Sequence, residues 1–530
     1  MKKIISLILI GFICLLSLAA QVINDPNDNI YKDIDRWAIQ GYITTALPQI
    51  RPYPAQILDL ILKEVADRGD PVAQKKAVSY IASIAPDSRP VHIGLHGTIT
   101  GRDSESTLFG APKADGVFRI EPWITGSYDL QVYGSLKTPG NEIIVPGNYS
   151  PYPDFVVDAA NVGQFYILQN WNSTLTIGAD SFYFQSGLNR TSFGPFYDSS
   201  LVVGAQAGRA GHFSLVYRSE WWNYSILFLS ISATNDFGNG QFPEKYIMIH
   251  AYDFQPLTNF EFGFFETVVW GGRFEPFYFI PFNQLFAAQS IVGFADNSLF
   301  GIHFRWRAFP GLQMLGQVYV DDLHFNDMVS FKFDTRYKLS AQAGLNYMPI
   351  KSWAPNVRLE YTAVMPYMYT HITGDVADRY VPNKPNYFNY THRGANLGTD
   401  LEPNSDRVKL SISKDLLSAF NLKLTGFFTR HGNASEGIPN MDSNHDGDIF
   451  DDGYDSANKV TFDRETRFLT QSVIDYRLAG GFSLSWSLPT SFGSFGLQAD
   501  YVLEYGWNRN LVKDDNGLTN FWGISASWRW

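Results

Sequence analysis

The 530-residue chain has one cysteine, few charges and no long apolar run beyond its N-terminus. Each shortage excludes a class of protein. Cys14 lies within the apolar run Ile4 to Leu18, which follows Lys2 and Lys3 and precedes Ala19, Ala20 and Gln21, the three-part layout of a secretory signal. The residues before it, Gly11, Phe12 and Ile13, do not match a lipoprotein processing site. Cleavage near Ala19 or Ala20 leaves a mature chain with no cysteine, which excludes disulfides, thiolate metal sites and cysteine nucleophiles. The formal net charge is -11 with no basic block, so nucleic acid is not a partner. No later stretch reaches the roughly 18 uninterrupted apolar residues that a spanning helix needs, which rules out a polytopic helical membrane protein. Also absent are G-x-S-x-G, H-E-x-x-H and any phosphate-cradling glycine loop, so the chain does not read as an enzyme.

Aromatic residues, in contrast, are abundant: Phe 41, Tyr 29 and Trp 13 make 16% of the chain, against 18% charged. Soluble domains average about 25% charged residues. Mean hydropathy is only -0.14. Apolar residues placed at every second position reconcile these values, as in a large all-β protein or a transmembrane β-barrel. In the last strand Trp522, Ile524, Ala526, Trp528 and Trp530 alternate with Gly523, Ser525, Ser527 and Arg529. In a strand this places every apolar group on one face. Three Trp on an exposed soluble edge would invite aggregation. A terminal strand ending on an aromatic also resembles the signal read by the outer-membrane assembly machinery.

The same period recurs upstream. Phe495, Leu497, Ala499, Tyr501, Leu503, Tyr505 and Trp507 alternate with polar or small residues, as do Phe482, Leu484, Trp486 and Leu488 before Pro489. Ile302, Phe304 and Trp306 alternate with His303, Arg305 and Arg307, and the turn Phe309-Pro310-Gly311 leads into the next run. Short turns such as this one, and Pro489 to Gly493, contrast with the long polar segments 137–160, 370–405, 431–465 and 507–519. Short turns at one end and long loops at the other are the pattern of an outer-membrane barrel. About 440 residues at roughly 24 per strand and connection predict 16 to 20 strands, an even number.

Residues before the strands read differently. Pro54 to Arg68 predicts a helix, with Pro54 in its first turn, Ile57, Ile61 and Val65 on one face and Gly69 at its end. Two more are expected, over Asp33 to Gln40 and over Pro71 to Ile84. The organisation predicted is a signal peptide over 1–20, a helical module on the periplasmic side over 21–88, acting as a cap or plug or as a docking platform, and a barrel over 89–530.

Several groups are candidates for ligand chemistry. Oxygen side chains Asp442, Asn444, Asp446, Asp448 and Asp452 surround Gly447, with an apolar Ile449, in the spacing of an EF-hand or dockerin-type calcium loop. Gly453 stands where the closing bidentate acid belongs, so a solvated acidic loop is the competing reading. Lumen candidates by parity are Arg305 and Arg307 opposite Gln313 and Gln317, with Glu261, Glu266, Arg273 and Glu275 around another strand. Tyr319 and Phe265 share a face with polar residues, a pairing that suits sugars as well as plain lumen packing. Asp321 and Asp322 with His324 would allow acid-base chemistry at a barrel rim, or simply mark a charged strand end.

These motifs resemble the capsule-assembly Wzi family of outer-membrane proteins. The similar stretches are Ile34-Asp-Arg-Trp37-Ala-Ile-Gln-Gly41, Arg51-Pro-Tyr-Pro54, Arg190-Thr-Ser-Phe-Gly194-Pro195, Phe262-Gly-Phe-Phe-Glu266 through Arg273, and Val318-Tyr-Val-Asp321-Asp322. The resemblance implies an 18-stranded antiparallel barrel with a helical bundle at its periplasmic end. It also implies a lectin-like, non-enzymatic role in assembling or holding surface polysaccharide, with Arg190, Glu266, Arg273, Asp321 and Asp322 as ligand or lumen candidates. A porin or substrate-specific channel is the alternative. The acidic loop is no part of the family pattern. Expected partners are the lipid bilayer, surface polysaccharide and the assembly machinery.

Overall fold

The structure, a computed structural model, describes residues 25–530 except 85–90, 121–123, 136–159, 163–164, 197–198, 205–206, 234–243, 294–295, 324–325, 327–328, 331–336, 351–353, 372–386, 393–394, 418, 435, 437–453, 456–459 and 462–466. Three helices come first: α1 (Asn29–Gln40), α2 (Ala55–Arg68) and α3 (Pro71–Ile84). Helix α1 starts four residues before the predicted Asp33, because the Asp28 carboxylate accepts from the Ile30 amide and caps it. Gly41 ends it with a φ of 87°, a left-handed turn that glycine adopts without strain.

The strands that follow are β1 (Val91–Arg102), β2 (Glu105–Ile120), β3 (Ile124–Ser135), β4 (Phe165–Gly178), β5 (Phe182–Asn189), β6 (Ala210–Arg218), β7 (Trp222–Ile231), β8 (Lys245–Leu257) and β9 (Phe260–Gly271). The circuit continues through β10 (Asn297–Phe309), β11 (Leu312–Leu323), β12 (Tyr337–Tyr347), β13 (Asn356–Val364), β14 (Ser405–Leu417), β15 (Phe420–Gly432), β16 (Ile474–Thr490), β17 (Gly493–Trp507) and β18 (Gly517–Arg529). Each pairs antiparallel with its neighbour, and β18 pairs with β1 from Phe521↔Arg102 to Arg529↔Gly94, which closes a barrel of 18 long strands with the short Ala160–Val162 added beside β4. Closure leaves no unpaired sheet edge, the condition for strands in hydrocarbon. Among the described residues no helix is long and apolar enough to span a membrane.

Alternation sets the two faces. On β10, Ile302 is 57% and Trp306 43% exposed on the outer wall, whereas His303 between them is 3% exposed and faces the lumen. The terminal-strand reading holds likewise: Ile524 and Trp530 are exposed outside, and Phe521 is buried inside. Strand β16 runs one residue beyond Pro489, which pairs with Ser494 in the ladder before the turn at 491–492.

The helices lie across the short-turn end. Arg307 Nη1 donates to the Ala38 carbonyl at 2.8 Å, Gln40 Nε2 to Pro349 O at 3.1 Å and Gln255 Nε2 to Thr44 O at 2.9 Å, so three short turns hold the module. From there residues 43–53 enter the lumen, where Ile50–Arg51 pairs with Ser192–Phe193, part of a second inserted segment between β5 and β6. One continuous core joins Ile57, Ile61 and Val65 of α2 to Ile50, Phe193 and Leu201 of these insertions and to Val216, Leu227, Phe265 and Tyr319 of the wall. Burying side chains of this size contributes about 1.5–3 kcal/mol each.

Candidate functional site

The lumen has two unlike halves. Along β5 to β13 the inward side chains are sealed against the inserted segments. Gln185 Nε2 donates to Pro52 O at 3.3 Å, Gln342 Nε2 to Ser199 O at 3.1 Å, Lys338 Nζ to Thr370 O at 3.1 Å and Lys245 Nζ to Thr391 O at 3.0 Å. An aromatic column fills the space between. Phe193 meets Phe265 at 5.1 Å between ring centroids, Phe265 meets Tyr319 at 5.6 Å, and Tyr319 meets Tyr390 at 5.7 Å. Tyr319 and Phe265 are thus packing rings, fully buried, and no sugar reaches their faces.

Along β14 to β18 and β1 many inward residues are polar and remain partly exposed, among them Lys409, Ser413, Thr425, Ser483, Gln498, Ser525 and His96. This wall rises to a charged cluster at the long-loop end. Arg477 Nε and Nη2 donate to the two oxygens of Asp475 at 2.9 and 2.8 Å, and Nη1 donates to Glu504 Oε1 at 3.2 Å. The Asn510 amide, from the β17–β18 loop, donates to Asp475 Oδ2 at 2.9 Å. Beneath lies an apolar floor of Phe427, Ala479, Val502 and Phe521. Asp475 and Glu504 are buried and hold the Arg477 guanidinium, whose side chain keeps 31% exposure, so that guanidinium and the partly exposed polar walls are what the surface presents to hydroxyl-rich solutes.

Of the candidates named from sequence, the structure gathers few. Glu266 faces outward, not into the lumen, because it shares parity with the exposed Phe262 and Phe264. Its Oε2 accepts from the Leu285 and Phe286 amides at 2.6 and 3.4 Å, at the start of α4 (Leu285–Ile291). Beside it the outward His250 ring contacts the Tyr278 and Asn283 carbonyls at 3.1 and 3.0 Å, and Tyr224 Oη accepts from the Phe282 amide at 2.7 Å. The β9–β10 connection therefore folds down over the outer wall, with Tyr278, Leu285 and Ala288 covering Met248, Val268 and Trp270. Arg273 belongs to this clasp: its guanidinium binds both Asp296 oxygens, at 2.9 and 2.5 Å. Replacing Glu266 with Ala removes a cap worth about 0.5–2 kcal/mol. Limited proteolysis is expected to cut the 272–293 region several-fold faster in that variant; unchanged cleavage counts against the capping role.

The rest lie apart. Arg190 follows β5 and is half-buried. Asp321 is half-buried near the end of β11, and Asp322 stands opposite Lys338 in the ladder. Arg307 does oppose Gln313, but a bulge at Arg307/Phe309 does not alter the next rungs, where Arg305 faces Leu315 and His303 faces Gln317. His324 and the acidic loop with Asp442, Asn444, Asp446, Asp448 and Asp452 fall outside the described residues. Glu504 was legible as polar-face, but Arg477 and Asp475 were missed. Their signal was parity: Asp475, Arg477 and Ala479 continue inward the run whose outward members are Tyr476 and Leu478.

No family model matches the chain, and no curated protein matches it. Among solved structures it is similar to Wzi, an outer membrane protein involved in group 1 capsule assembly in Escherichia coli and a carbohydrate-binding β-barrel. The TM-score is 0.55 at 15% identity, covering 96% of this chain and 99% of that one. OccD3 (OpdP) of Pseudomonas aeruginosa matches at TM-score 0.44 and 7% identity over 83% of this chain and 91% of that one. OccAB2 of Acinetobacter baumannii matches at 0.44 and 10% over 83% and 97%. The fold is that of Wzi, an antiparallel barrel of outer-membrane type.

Proposed function

We propose that this barrel holds surface polysaccharide at the cell exterior, without catalysis, through the long-loop mouth around Asp475, Arg477 and Glu504. The carrying observation is the lumen itself: one half is closed by inserted chain and the helices lie across its short-turn end, so the open polar surface faces the long loops. A secretory signal over the first 20 residues and assembly through the terminal aromatic strand accompany this reading. So does a periplasmic position for the helical module.

Binding is tested with polysaccharide extracted from the native host's surface, with dextran as a neutral control, on the detergent-solubilised protein. Charge-assisted hydrogen bonds contribute about 1.5–3 kcal/mol. Replacing Arg477 with Ala is therefore expected to weaken binding roughly 10- to 100-fold. Equal binding by both proteins would remove the mouth cluster from the site. A porin reading has one observation in its favour, the partly exposed polar wall from β14 to β1, and conductance separates the two.

A further inference from the structure

We propose a second, structural site: a divalent cation bound inside the lumen by Asp253, Glu261 and His303. These residues stand on adjacent strands β8, β9 and β10, all facing inward, and each is at least nine-tenths buried. One ligating atom from each lies within 4.8 Å of the others. Two carboxylates and an imidazole form a mixed oxygen and nitrogen set that suits zinc or another first-row divalent ion.

The hydrogen bonding points the same way. His303 Nε2 stands 2.9 Å from Asp253 Oδ1. The pair is nevertheless not aligned as a hydrogen bond, and both Asp253 oxygens and His303 Nε2 lack any hydrogen-bond partner. A buried carboxylate and imidazole in that state are costly. Ligands about 2.0–2.2 Å from a shared zinc ion stand roughly 3 Å apart when about a right angle separates them, and their lone pairs aim at the metal rather than at each other. Glu261 offers the third ligating atom and also lies 3.8 Å from Arg305 Nη2. Its other contacts tie the site to the plug, since Glu261 Oε1 accepts from Gln49 Nε2 and Arg305 Nη2 donates to Gln49 Oε1 at 2.6 Å.

Gly263 keeps the space open. A Cβ there would lie 2.3 Å from Asp253 Oδ1 and 2.6 Å from His303 Nε2. The cation would thus cross-link three wall strands at the point where the inserted segment touches them.

The test is metal content by mass spectrometry on the full-length protein, followed by stripping with dipicolinate and titration with Zn²⁺, and with Co²⁺ for its visible absorption bands. The wild type is expected to carry about one zinc per chain. Two variants, His303→Ala and Gly263→Ala, are expected to be substoichiometric while keeping the heat-modifiable migration of a folded barrel. The second variant retains every ligand, so its loss reports the space between them. Wild-type protein that neither carries nor takes up metal would overturn the site and leave His303 and Asp253 as a simple ion pair. Zinc retained by both folded variants would overturn it equally, placing the metal elsewhere, as in the acidic loop at 442–452.

Discussion

Reconstituted in planar bilayers, the intact protein is expected to pass no stable current steps of porin size, and a variant lacking residues 29–84 is expected to pass them. The physical reason is packing. Ile43, Leu47 and Ile50 of the inserted segment are buried against the wall, and Arg305, Arg218 and Gln255 anchor that segment by hydrogen bonds. Close packing of this kind shuts the β5 to β13 half of the lumen, and the helices lie across the short-turn end of the other. Removing the helices and their connecting strand uncovers the short-turn end and vacates the space of residues 43–53, while the inserted chain after β5 and β13 stays. Large steps from the intact protein would favour the channel reading; silence from the truncated barrel, shown to be folded by its migration, would mean that other chain closes the lumen.

The second large effect is at Arg51. Its side chain is 1% exposed. Nη1 and Nη2 both reach the Asp35 carboxylate of α1, the former at 3.3 Å. The guanidinium also lies 4.9 Å from the Tyr31 ring centroid and 5.6 Å from that of Tyr53. This one residue joins the inserted segment to the helical module by charge and by ring stacking. Removing one partner of a buried ion pair costs about 3–5 kcal/mol, and because Asp35 keeps 20% exposure the loss here sits at the lower end of that range. Arg51→Ala is expected to raise amide exchange in α1 and the 43–53 segment by two or more orders of magnitude, given about 1.4 kcal/mol per tenfold. Arg51→Lys should recover part of the protection, since an ammonium keeps the charge but not the planar fork. Exchange unchanged in Arg51→Ala would show that apolar burial alone holds the module.

The barrel was legible because a lipid-facing strand has apolar residues at every second position, and where the inner face is polar the parity stands out. Strands β16 to β18 are of this kind. Strand β9 is not. Its run Phe262-Gly-Phe-Phe-Glu-Thr-Val-Val-Trp is apolar on both faces, since Phe265 and Val269 pack against inserted chain while Phe262 and Phe264 face lipid. A strand buried on both faces loses its alternation. That is why Glu266 was placed in the lumen when it caps a helix outside.

The same limit applied to the site. Tyr319 beside Gln317 reads equally well as a sugar platform or as packing, and only the approach of Tyr369 and Tyr390 from the chain between β13 and β14 decided for packing. Arg477 and Asp475 carried no motif. They form a cluster because neighbouring strands bring Glu504 into range and the following loop adds Asn510, contacts between residues about 30 apart in the chain.

Local period, terminal pattern and the scarcity of charge are properties of the chain read in order, and they determined an outer-membrane-type barrel led by helices. Which inward residues are sealed and which meet solvent depends on where residues 43–53 and the inserted segments after β5 and β13 thread, whereas Asp253 and His303 come together because the strand register sets both beside Gly263. That threading is a long-range choice, set by the match between inserted side chains and the wall, and no local period encodes it.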